Sequence, residues 1–222
     1  MDLEKGIHMR RFGKWLGRLL ILLAIPVAGF FIYAPEYVEK ERNVVTQHAP
    51  YPISPEAAAL HKDLVIGDWH ADTLLWNRDL NERGTRGQVD IPRLIEGNVA
   101  LQMFTAVTKT PAGMNYDHNS ADARDNITLL AIGQLWPPRT WRSLYQRALY
   151  QSQRLHDAQA NSNRRLRIIR SEADLDALMA LRLAGEPVVG GLLGIEGAHP
   201  LEGDINNLQG LQDAGYRMIA LQ

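Results

Sequence analysis

The sequence predicts an α/β fold, a parallel sheet with helical crossovers, set behind one N-terminal apolar helix. Three observations predict it. Short apolar runs alternate with amphipathic stretches from residue 55 onward, the pattern of strand, crossover helix and parallel strand. Leu19 to Ala34 is a 16-residue run without a charge. Two of the apolar strands end abruptly in ionisable residues, at Asp68-Trp69-His70-Ala71-Asp72 and at Glu196-Gly197-Ala198-His199.

The composition sets the outer limits. The 222 residues carry 24 Lys+Arg against 25 Asp+Glu, a net charge of -1, with 45% hydrophobic residues. That balance excludes a disordered tail, a collagen-like repeat and a basic nucleic-acid binder, so no nucleic-acid partner is expected. With no cysteine, a disulfide scaffold, a thiolate metal site and a cysteine nucleophile are excluded, and any chemistry falls to His, Asp and Glu.

Residues 1–34 form the first segment. Five basic and two acidic side chains precede or enter the apolar run, while Glu36, Glu39 and Glu41 follow it. Extended back to Trp15, with Arg18 snorkelling, the run makes a helix of roughly 27–30 Å, about one bilayer. The membrane is thus a partner through residues 15–34. The positive-inside rule places the N-terminus in the cytoplasm and the body in the periplasm or outside the cell. A cleaved signal peptide is the rival reading. It is disfavoured because Val27-Ala28-Gly29 lies inside the run and Pro35 follows the only later small-residue candidate, Ala34. Residues 35–54, punctuated by Pro35, Pro50 and Pro52, read as an extended stalk, and the body occupies 55–222.

In the body, strands are expected near 64–69, 99–107, 166–169, 188–195 and 216–221. Helices are expected near 55–62, 90–97, 119–135, 139–160, 171–184 and 204–214. Ser171 and Asp204 are expected N-caps, and Gly185 and Gly215 expected stops.

The chemistry starts where the first strand runs into a loop. Alternation along a strand sends Asp68, His70 and Asp72 to one face. Such a cluster is costly at a buried strand end unless it binds something, and an imidazole with a carboxylate two residues on suits a divalent metal. The competing reading is a hydrogen-bonded loop. In the second cluster, Gly190, Gly194 and Glu196 share a face, and the glycines leave room beside Glu196. The alternative for Gly190 and Gly191 is close packing. No Gly-Lys-Ser/Thr follows, so a phosphate loop is rejected. His199, His118 and His156 are read as structural or solvated. The strip Trp141, Leu144, Tyr145, Ala148 and Leu149 with Arg142, Arg147 and Arg154 reads as helix packing rather than a partner or membrane face.

Four ordered blocks, Asp68 to Asp72, Val89-Asp90-Ile91-Pro92-Arg93-Leu94 with Asn98 to Phe104, Gly194 to His199, and Asp213 to Leu221, together resemble the membrane dipeptidases, the M19 family of metallopeptidases. The resemblance covers roughly residues 60 to 222. It implies an amidohydrolase-like (β/α)8 TIM barrel and a centre of two zinc ions, with His70 and Asp72 matching ligands of one ion and Glu196 the carboxylate shared by both. It further implies metal-assisted hydrolysis of dipeptides, including those with a C-terminal D-residue. Residues 59 to 222 number 164, whereas a closed barrel takes about 250, so about the first five strands of an incomplete barrel are expected. In the family a substrate-contacting histidine and the two histidines of the second zinc come later than this sequence reaches. No catalytic residue is therefore assigned up to Gln222, and residues 55–222 alone are expected to be insoluble or molten and to lack dipeptidase activity. Another amidohydrolase-like hydrolase and a non-catalytic anchored binding module remain the alternatives, and a homodimer is kept open.

Overall fold

The computed structural model describes residues 2–118, 120 and 122–221, with side chains from Lys14 onward. Helix α1 spans Asp2–Arg42. Pro26 and Pro35 lie inside it, so the expected change to an extended stalk at Pro35 does not occur. Proline disfavours a helix by removing one donor and crowding the preceding turn, and at Pro35 the helix continues where Pro35 packs against Gly133 of the body. Between this helix and the next, only residues 43–54 lie outside a helix.

The body begins at α2, Pro55–Asp63, where Ser54 Oγ accepts from Ala57 N. Five strands follow: β1 Ile66–Ala71, β2 Val99–Val107, β3 Leu166–Ile168, β4 Val189–Glu196 and β5 Tyr216–Ile219. Between them lie α3 Ile91–Glu96, α4 Ile127–Gly133, α5 Leu144–Asn161, α6 Glu172–Leu183 and α7 Asn207–Asp213. The expected helix at 119–135 shrinks to α4, Asn119 and Ala121 lying outside the described residues. The expected helix at 139–160 splits into a 3-10 turn, Pro138–Trp141, and α5, capped by Ser143. Ser171 caps α6 as expected, and Gly185 and Gly215 follow the ends of α6 and α7 with φ of 82° and 108°. Asp204 is not a cap. It accepts from Asn206 N in a turn, and α7 begins three residues later than expected.

All pairings are parallel. β2 lies between β1 and β4. The other edge of β4 is shared end to end, because residues 189–191 pair with β3 and 193–195 with β5. The sheet is therefore four strands wide and open among the described residues, not an arc of five successive barrel strands. β3 is short and has no exclusive edge, which hydrophobic periodicity cannot reveal.

Each face of the sheet has its own core. Phe104, Ala106, Leu193 and Ile195 pack with Ile91 and Leu94 of α3, Ala148 and Leu155 of α5 and Leu211 of α7. Val188 and Ile169 pack with Leu178 of α6. Here the glycines of β4 show their use. A Cβ at Gly190 would lie 2.6 Å from Leu178 Cδ2, and one at Gly194 would lie 2.9 Å from Met103 Sδ. The expected room beside Glu196 is filled by core side chains, so close packing is the correct reading of these glycines.

Candidate metal centre

The site forms at the C-terminal ends of β1 and β4. β2 lies between them, so residues far apart in sequence converge there. Glu196 is the last residue of β4 and stands opposite Val107. On β1 the pairing shifts between Asp68 and Ala71, Asp68 opposing Gln102 and Ala71 opposing Phe104. Three residues on β1 thus span two on β2, a bulge that re-aims side chains. Strict alternation is therefore not what gathers the cluster. Asp68 accepts from His70 N at 3.0 Å and stays out of it, while Asp72 sits beyond the strand, at the start of a 3-10 turn, Thr73–Leu75.

His70, Asp72 and Glu196 each offer one ligand atom, and these atoms lie within 4.8 Å of one another. His70 Nε2 is 3.2 Å from Asp72 Oδ1 and 3.8 Å from Glu196 Oε2. All three side chains reach solvent, the histidine being 55% exposed. Among the described residues this is the one such cluster. Burial pushes the Glu196 carboxyl above the usual carboxylate range, and neighbouring Asp72 adds to it, with His70 opposing. Two carboxylates gathered around one imidazole leave an excess of negative charge.

Thr105, missed by the sequence reading, fixes the arrangement. Its hydroxyl donates to Asp72 Oδ1 from the buried middle strand. It lies opposite Gly194, two residues before the position that faces Glu196. A threonine in an apolar strand reads as an ordinary β-former, so only the fold exposes its role.

The other titratable candidates stay apart. His199 opens a 3-10 turn outside the cluster, and His118 is exposed in a loop. His156 is half-buried, its Nε2 3.1 Å from the Ala214 carbonyl, and so is not solvated. The Trp141 to Leu149 strip packs inward, and Arg147 is only 1% exposed.

The profile of the membrane dipeptidases, peptidase family M19, matches residues 55–222. The chain belongs to peptidase family M19. In fold it is similar to a solved dipeptidase described as a metallopeptidase of family M19, at 20% identity and a TM-score of 0.51, over 71% of this chain and 42% of that one. It is also similar to the probable dipeptidase PvdM from Pseudomonas aeruginosa, at 15% identity and a TM-score of 0.51, over 75% of this chain and 36% of the other. No match was found among curated proteins. This M19 chain therefore spans less than half the length of the solved structures it matches.

Proposed function

We propose that the protein is a membrane-anchored metallodipeptidase in which His70, Asp72 and Glu196 hold a zinc ion. The convergence of one imidazole and two carboxylates at the C-terminal ends of β1 and β4 carries this reading. The donor set suits the ion. Zinc takes imidazole nitrogen and carboxylate oxygen at about 2.0–2.2 Å in tetrahedral geometry, which sets donors roughly 3.4 Å apart. The 3.2 and 3.8 Å separations lie around that value.

When bound, zinc would supply Lewis-acid polarisation of a carbonyl and acidify a water near neutral pH. The chain's own residues do the rest. Thr105 holds Asp72 in one orientation. Glu196, closing the strand with the most pairings, would supply a carboxylate ligand. The solvent-facing position of all three side chains leaves an approach for a small substrate. A dipeptide, tolerated with a D-residue at its C-terminal position, is the proposed substrate. The described residues supply one cluster of three ligands, so turnover is expected to need ligands beyond it.

The anchor is part of this proposal: α1 crosses the membrane with its N-terminus in the cytoplasm and its body outside. Leu19, Leu20, Ile21, Leu22 and Leu23 are all exposed, so the run is not a core helix. Nor does the helix break after the run. It continues to Arg42 and docks on the body, with Arg78 Nε 2.6 Å from Glu39 Oε1, which favours an uncleaved anchor.

The test is to purify the full chain, measure zinc binding, and assay hydrolysis of L-Ala-D-Ala and L-Ala-L-Ala with and without zinc. Saturable zinc binding that is lost in His70→Ala is expected, with any turnover dependent on zinc. Failure of the chain to bind zinc would contradict the proposal.

A further inference from the structure

The helix that leaves the membrane is fastened to one side of the body. Phe31, Ala34, Pro35 and Glu39 form a half-buried stripe on α1, which Asn43 continues just past its end. The Glu39 and Arg78 side chains are only 12% and 13% exposed in their ion pair. Arg86 lies 3.5 Å from Glu36 and 3.6 Å from Glu39, and Gly87 N donates to Asn43 O. Gly87 has a φ of 67°, and a Cβ there would lie 2.1 Å from Arg78 Nη1, so the Arg78 side chain crosses it closely. Paired charges with so little exposure hold a fixed geometry, so the body keeps one orientation relative to α1.

That orientation sets the height of α4. A Cβ at Gly133 would lie 3.2 Å from Pro35 Cγ and 3.5 Å from Phe30 Cζ. Gly133 thus abuts α1 where the apolar run ends. Leu129 is one helical turn from Gly133 and Leu135 two residues beyond it, so both lie within roughly 7 Å of that level by chain geometry. The interfacial layer on each side of a bilayer is about 5–8 Å deep.

Leu135 itself is anomalous. It follows α4 in the left-handed region, with a φ of 57°. Its N–H bonds to Ile132 O and the next N–H, of Trp136, to Ala131 O, the helix-ending motif in which glycine normally holds this place. A leucine there costs on the order of 1 kcal/mol in backbone strain. Yet its side chain is 70% exposed, and Leu129 is 51% exposed. Strain and apolar exposure fall on the same residue, at the height where the chain meets lipid. Arg139 and Arg142, both exposed, follow in the next turn and would suit lipid phosphates.

We propose that the end of α4 is a membrane-contacting surface, with Leu135 and Leu129 inserted into the outer interfacial layer of the bilayer that α1 crosses. The contact rests on the reading of α1 as a membrane span. It would hold the body against the lipid surface through two attachments, the anchor and the α4 end.

The chain has no cysteine, so single cysteines introduced as Leu135→Cys, Leu129→Cys, Leu22→Cys and Leu183→Cys are unique labelling sites. Each full-length variant is labelled with an environment-sensitive fluorophore and reconstituted into phosphatidylcholine/phosphatidylglycerol vesicles with or without spin-labelled lipid. The expected result is a blue shift and lipid quenching at 135, 129 and 22, with neither at 183, an exposed leucine at the end of α6. Quenching at 22 but not at 135 and 129 overturns the contact and leaves the anchor standing. No quenching at 22 overturns both. A blue shift at 135 without lipid quenching points to a protein partner or a second copy and overturns the lipid contact. Equal quenching at 183 overturns it as well, since the body then has no preferred face.

Discussion

Two charged clusters lie close together at the end of β2, and they are built in opposite ways. In one, Arg147 is buried and every donor has an acceptor. Its Nε bonds to Thr140 O at 2.7 Å, Nη1 to Thr108 O and Asp125 Oδ2 at 2.7 and 2.5 Å, and Nη2 to Thr128 Oγ1 and Trp141 O at 2.8 and 3.1 Å. Asp125 in turn accepts from the backbone of Thr110, Ile127 and Thr128. Burial raises its pKa, but Arg147 and these donors outweigh burial and hold it below the usual carboxylate range. In the other cluster, Asp72 and Glu196 face one histidine and solvent, and Glu196 is pushed the opposite way. Asp125 has its cation within the chain. The centre at His70 has two carboxylates beside one imidazole, a charge that the proposed metal ion would offset.

The largest expected effect breaks the first cluster. Arg147→Met leaves the half-buried Asp125 without its partner and leaves the carbonyl oxygens of Thr108, Thr140 and Trp141 without their donors. About 3–5 kcal/mol of stability should be lost, seen as a lowered unfolding midpoint in denaturant or as insoluble protein. A loss under 1 kcal/mol would show that the network is less decisive than its geometry. At the second cluster, His70→Ala should leave folding nearly unchanged while zinc affinity falls by roughly 100-fold or more, read by competition with a chromophoric chelator. An unchanged affinity would remove His70 from the site. Thr105→Val keeps the shape and removes the donor to Asp72, so a drop of about 10–100-fold in zinc affinity is expected. Equal loss of zinc binding and of stability would make Thr105 merely structural.

What the sequence shows of this contrast is uneven. His70, Asp72 and Glu196 were legible because ionisable residues closing apolar strands stand out against their neighbours. Thr105 was not, since its partner is 33 positions away across a parallel pairing. Arg147 was legible only as part of an amphipathic helix, because its acceptors are scattered from Thr108 to Trp141 and meet only in the fold. The bulge on β1 corrected the argument for the cluster without dissolving the cluster. The sharing of one β4 edge by β3 and β5 depends on long-range pairing that no local pattern encodes. At Pro35 the local signal for a break was overridden by the docking of α1.

The smallest effect concerns pH and sharpens the comparison. Asp125 has a lowered pKa, so its stabilisation is complete above the usual carboxylate range and is lost as pH falls through its depressed value. Glu196 has a raised pKa, so in the metal-free protein its contribution is favourable below that range and is lost as pH rises through its elevated value. Glu196→Gln should therefore stabilise the metal-free protein near pH 7 by about 0.5 kcal/mol, small because the side chain reaches solvent. Asp125→Asn should flatten the acid limb of the stability curve. Thermal melts of both variants between about pH 3 and 8, the span that brackets ordinary carboxylate values, would detect a reversed order.

The central claim is that the His70, Asp72 and Glu196 cluster takes a metal ion. The most direct measurement is a zinc titration of the purified full chain and of its Glu196→Gln variant, followed by calorimetry and by the unfolding temperature. The account predicts saturable binding that raises the unfolding temperature of the unaltered chain and is lost or severely weakened in the variant. Indistinguishable behaviour of the two proteins, whether both bind zinc or neither does, would contradict it.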